Sequence, residues 1–575
     1  MRERDLPGAL TDTGYGVRMA RSRTRIWYAL AACGIATSCV GTIDDPPGGA
    51  PPSSALPPDI ADEIERTGCT DFDIGEGPMR RLTATEYANS VQAIFGVDAD
   101  VSFFAADEHV GPFRFNTEGA VTNAHVGQYM DAAEAIAASA VSAPGVLPDC
   151  ATGSADAACA RELVERLGLR VFRRPLSAGE VDELAALHAT GSGFADGARL
   201  VVQAMLQSPH FLYVLEHGDA AAASGGLVPL TSYEIAARLA LFLWASAPDD
   251  ELLAAAAADE LREPEQVGAQ ARRMIDDPRA MQQAMRFYFE WLGLDGTDSV
   301  TGIDDLVKDA EAYPEFTDTL RASMKNETVT FLRDLHERHG ALGEMFTATA
   351  SFADAELARH YGIAAPASGG FGPVELDPGE RSGLLTQATV MSVYGSASQS
   401  SPVHRGVFVL ERVLCRALPP PPPSVNAQPP EPDPNVPRRA QFEQHRADPA
   451  CASCHSLIDP VGFGFEAYDG IGRFRTVDGG EPVDDTGEIT LDGTPHAFDG
   501  AVELSGLLAG SDDARSCFAL QWFRYGVARL ESPADACGLE AIARGFAESG
   551  YDVREVAVLV AKSALFRYRR TPEGE

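Results

Sequence analysis

The sequence predicts a mainly α protein: multidomain helical bundles with one small irregular domain toward the C-terminal end. Three observations carry that reading. Apolar residues recur at helical spacing along most of the chain. Several of these runs open on a capping box, a Ser or Thr followed three residues later by Glu. The 575 residues are 45% hydrophobic and 23% charged, an ordinary globular composition that suits about three to five domains.

The elements follow in chain order. Arg21, Arg23 and Arg25 precede the apolar run Ile26–Ala36. A basic start, a short apolar stretch and small residues before a cysteine fit an export signal rather than a spanning helix. Residues 1–39 are read as that signal, with Met19 as the true start. Two cysteines compete for a lipoprotein-type cleavage site, Cys33 and Cys39. Cys39 is preferred, because the Pro/Gly/Ser-rich stretch Asp45–Pro58 follows it as a tether spanning 40–75. Helical domains are then expected over 76–145, 146–218, 227–365 and 501–570. Thr83–Glu86, Ser177–Glu180 and Thr231–Glu234 are the capping boxes. Helices are predicted over 126–142, 160–170, 177–189, 194–214, 250–257, 264–276, 278–293, 315–339, 500–510, 514–529, 534–549 and 553–566. The proline run Pro419–Pro423 must be extended. It falls inside a proline-rich domain over 370–500, whose Gly/Asp-rich part, 470–500, is expected to form a hairpin.

The chain carries a net charge of −38. Such a body repels nucleic acid and anionic lipid headgroups, so no nucleic-acid partner is expected, and membrane contact is expected only through the lipid on Cys39. The ten cysteines support export. With Cys33 lost, Cys39 lipidated and Cys451 and Cys454 otherwise engaged, an even number remains for disulfides. Nearness in sequence pairs Cys150 with Cys159, and then Cys517 with Cys537. Elimination leaves Cys69 with Cys415.

One motif carries chemistry. Cys451-Ala452-Ser453-Cys454-His455 has the spacing that attaches a c-type haem: two thioethers reach one porphyrin edge from one turn, and the adjacent imidazole meets the iron. A zinc site would need a second Cys/His pair at suitable spacing, and a redox dithiol would need a βαβ setting. Neither is evident, which leaves a disulfide as the plain alternative. The covalent cofactor is therefore haem c, with His455 as proximal ligand. For the distal side His404 and Met391 are the candidates upstream, with His445 also there, and His496 is the sole histidine downstream. Arg405 is placed to meet a haem propionate. Pro460 is read as ending the attachment turn, with Phe463 and Phe465 covering the porphyrin face.

Taken together the motifs are familiar. They are Arg80–Tyr87 with Val91–Gly96, Phe172–Leu176, Gln203–Tyr213, Leu230–Leu239 with Phe242–Trp244, Gly383–Gln387, Ser401–Gly406, the Pro419 run and Cys451–Arg473. The chain resembles the large exported proteins of the planctomycete-cytochrome-associated kind, built from five consecutive domains of unknown function. The resemblance implies a helical multidomain architecture with the haem motif in the fourth domain. It implies no reaction, since the family's activity is not established, and position 404 is often basic in such proteins.

Three functions fit these observations. The first is an exported c-type haem protein that transfers electrons with an envelope redox partner, as a periplasmic or cell-surface lipoprotein held at the outer membrane. The second is a peroxidase-like or other haem oxidoreductase with an open iron position. The third is a surface scaffold or binding lipoprotein in which the haem is incidental.

Overall fold

The helical periodicity is realised almost throughout. In the computed structural model, 23 α-helices and twelve short strands are found among the described residues, and the strands join only in pairs. The residues described are 56–571 apart from 70–71, 118–120, 153–155, 298, 419–432, 434 and 447–448. Side chains are not described at 62, 66, 443–446, 449–451 and 453. The expectations for the signal, for Cys33 and Cys39, and for the proline run lie outside these residues. No described helix is long and apolar enough to cross a membrane.

All three capping boxes form. Thr83, Ser177 and Thr231 each accept the backbone N–H three residues on, and Glu86, Glu180 and Glu234 each return to the cap's own N–H. Two donors that a helix start leaves unmet are thereby satisfied at each box. Helices Ala84–Phe95, Asn123–Ala140, Ala157–Val171, Ala178–His188 and Phe194–Gln207 bury their apolar faces in one core that includes Tyr87, Leu163, Val202 and Phe211. The helix expected over 194–214 is broken. Pro209 lacks an N–H to continue it, and Ser208 caps a separate turn, Pro209–Leu212. Arg173 locks this corner. It is buried in the left-handed region (φ 59°) and donates to the carbonyls of His210, Phe211 and Tyr213. Strand Arg80–Arg81 closes the bundle by pairing with Tyr213–Val214.

A second, larger core takes residues from Ile60 to Tyr568. Its centre is aromatic: Phe287 stacks on Trp522 at 3.9 Å and lies beside Phe113, Trp291 and Phe518. Strand Leu227–Pro229 pairs with Tyr568–Arg570, so the C-terminal segment is tied to the middle of the chain. Beyond residue 51 the chain is one compact unit; the helical domains are not beads on linkers.

Two expectations are corrected. The flexible tether over 40–75 ends earlier, because Pro58–Thr67 is helical, with Pro58 opening the first turn and Ile60 fully buried in the core. Of the disulfides, only Cys150–Cys159 pairs as read. The others are Cys69–Cys537 and Cys415–Cys517. Cysteine parity counts bonds but does not choose among pairings, and both bridges join segments more than a hundred residues apart.

Candidate functional site

The Cys-x-x-Cys-His motif lies on a helix, Pro449–Phe463, that contains Pro460. This overturns the reading that Pro460 ends the attachment turn. A proline inside a helix removes one hydrogen bond and strains the preceding turn, and here tertiary packing holds the segment helical. The helix lies against Pro402–Val407. A β-carbon on Gly462 would stand 2.6 Å from the carbonyl carbon of Pro402, and one on Gly406 would stand 2.9 Å from Cγ2 of Ile458. The two backbones touch because both positions are glycine. The contacts Pro402–Gly462 and Gly406–Ile458 run in opposite order, so the helices are antiparallel.

At roughly 100° per residue, positions 451, 454, 455, 458 and 459 share one stripe of this helix. Cys454 is partly buried against the core. His455 is 17% exposed, and its Nδ1 lies 2.8 Å from Oδ1 of Asp459, which is fully buried. The spacing i, i+4 sets the carboxylate beside the imidazole. A proton on Nδ1, shared with Asp459, selects the tautomer in which Nε2 is the acceptor nitrogen, the one a metal would take. Oδ2 of Asp459 is buried without a hydrogen-bond partner among the described residues, and Oδ1 meets the imidazole. Sequence reasoning missed Asp459. Once the segment is taken as helical, the fourth residue after His455 is where a partner belongs.

Arg405 does not face a propionate. It is fully buried, and its guanidinium donates to the carbonyls of Phe465 and Tyr468, each at 2.8 Å, and of Met391 and Asp469 at 3.0 and 2.6 Å. A planar fork of five donors meets four backbone acceptors here, which welds Pro402–Val407 to the turn after the attachment helix. That turn is itself knotted. The Asp469 carboxylate accepts the N–H of Ile471 and Arg473, Gly470 donates to the Tyr313 hydroxyl, and Gly472 adopts φ 76°. Arg381 donates to the Gly472 carbonyl and lies 3.9 Å over the Tyr361 ring. Glu466 is buried between Ser400 and Arg475, and its burial raises its pKa. The signature residues from 465 to 473 therefore hold the site in place.

The distal candidates are distributed as follows. His404 is on the packed helix, but about 200° round from Pro402, away from the contact line with the attachment helix. Burial, then the charges of Lys308 and Arg405, holds its pKa below the ordinary value. Met391 is fully buried in the larger core, beside Gly472. His496 pairs with Ile489 in the hairpin Thr486–Leu491/Thr494–Asp499, two residues from Phe498, which packs on Gly464. The side chains of His445 and Cys451 lie outside the described residues. Phe463 and Phe465 are fully buried, Phe463 beneath the Arg439 guanidinium at 4.6 Å. Among the described residues, no group of three or more His, Cys, Asp or Glu is placed to hold a metal ion. Cys517 and Cys537 are disulfide-bonded to distant partners, so they are not the second pair a zinc site needs.

Family comparisons match five stretches in succession, each described as a protein of unknown function: DUF1587 over 80–142, DUF1595 over 159–216, DUF1592 over 230–363, DUF1588 over 381–478 and DUF1585 over 494–566. No curated protein and no solved structure matches the chain. The Cys-x-x-Cys-His helix falls within the DUF1588 stretch, and the clamp residues Arg381 and Arg405 fall there with it. Five consecutive domains of the planctomycete-cytochrome-associated type are thus present in the chain.

Proposed function

We propose that this is an exported c-type haem protein that transfers electrons within the cell envelope. Haem c is held by thioethers from Cys451 and Cys454, with His455 as the proximal iron ligand. The observation that carries the reading is the arrangement on one helical stripe. Cys454 and a partly exposed His455 lie together, and the imidazole is oriented through Nδ1 by the buried Asp459 carboxylate, which makes Nε2 the iron-binding nitrogen of the proposal. Two cysteines and an adjacent histidine are the donor set of a c-type haem, and a carboxylate behind the imidazole is one of the partners that orient such a ligand. Bound there, the haem supplies one-electron chemistry. The chain's own part is to fix the imidazole, through Asp459, and to hold the helix rigid, through the glycine contacts and the Arg405 clamp. Anchoring through a lipid on Cys39, with outer-membrane sorting and a partner redox protein, completes the proposal. Fatty-acid labelling lost in Cys39→Ser and kept in Cys33→Ser supports the anchor; the opposite pattern moves it to Cys33.

A second reading has an observation in its favour. A carboxylate on the proximal imidazole makes that ligand more electron-donating, and His404 and Met391 are packed into other surroundings. Both points suit a haem oxidoreductase with an open iron position. Spectra of the reduced protein with and without carbon monoxide separate the two: a rapid shift supports the open site, and an unchanged spectrum supports the carrier.

A further inference from the structure

A cleft rich in arginine is lined by residues far from the motif in sequence. Its volume is about 500 Å³, within the range of small-molecule sites. Its walls come from the extended segment 74–80, residues 214–217, helix Ser232–Trp244, the end of helix Asp512–Val527 and the C-terminal strand Tyr568–Arg570. In a chain of net charge −38, five arginines line it.

Three of the five are matched and fixed. Arg238 holds the Glu216 carboxylate through Nε and Nη2, and Arg529 holds Asp535 through both terminal nitrogens. Arg80 meets Glu86 at 2.8 Å. Of these acids Glu216 lines the cleft itself, and each ion pair fixes the position of its arginine. Arg570 stands at the rim, 3.5 Å from Asp73, and Glu76 is exposed. Arg569 differs. Its backbone pairs with Val228 in the strand ladder, but its side chain makes no hydrogen bond or ion pair among the described residues, and its Nε is buried without a partner. A buried donor left unmet is unfavourable, and an acceptor entering the cleft relieves it. Beside these charges the lining includes Ile74, Val214, Leu215, Val527 and Leu565. A fork-shaped cation next to an apolar wall fits a planar anion on an apolar body.

We propose that this cleft binds a small organic carboxylate with an apolar body, whose carboxylate pairs with Arg569. The proposal is independent of the haem reading. The test is calorimetric titration of the full chain with hexanoate and with phenylacetate, using hexanol and inorganic phosphate as controls. Two variants accompany it. Arg569→Gln removes the unmatched charge and breaks no ion pair. Gly77→Phe fills the cleft from a position where a β-carbon meets nothing within 4 Å. The expected result is saturable binding of at least one carboxylate, weakened tenfold or more in both variants, with none for hexanol. Absence of binding by both carboxylates overturns the proposal, as does unchanged binding in Arg569→Gln. Phosphate binding as tightly as the carboxylates overturns the role of the apolar wall.

Discussion

Gly462→Ala tests how the attachment helix is held. The new methyl group would stand 2.6 Å from the carbonyl carbon and 3.0 Å from the Cα of Pro402. Carbon atoms in contact sit about 3.5–4.0 Å apart, and the carbonyl oxygen of Pro402 lies nearer still, so the helices must separate by at least about 1 Å. Overpacking typically costs about 1–3 kcal/mol. Both neighbours are backbone, so no rotamer change relieves the clash, and the upper end applies. Alanine in place of glycine inside a helix returns about 0.5–1 kcal/mol. The net expectation is a loss of about 2 kcal/mol. Gly506→Ala is the control: it lies in helix Gly500–Gly510, and a β-carbon there meets nothing within 4 Å, so it should be neutral or slightly stabilising. Urea denaturation followed by circular dichroism and tryptophan fluorescence measures both. If Gly462→Ala is as stable as the parent while Gly506→Ala behaves as expected, the close packing of these two helices does not hold the site.

Two further predictions follow from buried acids. Asp459→Asn keeps an acceptor for Nδ1 of His455 but removes the charge. Charge-assisted hydrogen bonds are worth about 1.5–3 kcal/mol against about 0.5–1.5 for neutral ones. On the proposed haem reading, the ferric form loses about tenfold in relative stability, and the midpoint potential measured by redox titration should rise by about 59 mV; an unchanged or lower potential counts against Asp459 as the proximal partner. Glu327 is fully buried between Ser351 and Tyr361, and burial raises its pKa to about 7. Its folded pKa lies above the unfolded one, so the folded state binds the extra proton, and stability falls as pH rises from about 4.5 to about 7. Glu327→Gln should remove that part of the pH dependence, so that the variant gains on the parent between pH 5 and pH 8 in denaturation midpoints. A constant difference across that range refutes the assignment.

What the sequence made legible was local. The capping boxes at Thr83, Ser177 and Thr231 and the Cys150–Cys159 bridge each depend on residues within ten positions of one another, and they form as read. Long-range partners carry no such signal. The Cys69–Cys537 and Cys415–Cys517 bridges, and the carbonyls that take Arg405 and Arg173, are chosen by the packing of elements distant in sequence. At the site the decisive loss was the proline. Reading Pro460 as a stop made the segment irregular, and this hid the i, i+4 relation between His455 and Asp459. The glycine-lined contact with Pro402–Val407 stabilises the helix in spite of that proline, and glycines in a run such as Val461-Gly462-Phe463-Gly464 read as turn residues until their neighbours are known. Arg405 was read as a ligand-facing cation because it adjoins His404; its complete burial reverses that role.

The central claim is that Cys451, Cys454 and His455 carry haem c. The most direct measurement is intact mass and absorption of the full chain expressed with haem-maturation machinery, denatured before analysis. The account predicts one haem added to the chain mass and a red chain after denaturation, both lost when Cys451→Ala and Cys454→Ala are combined. A colourless chain of unmodified mass, expressed where a known c-type cytochrome matures normally, contradicts it.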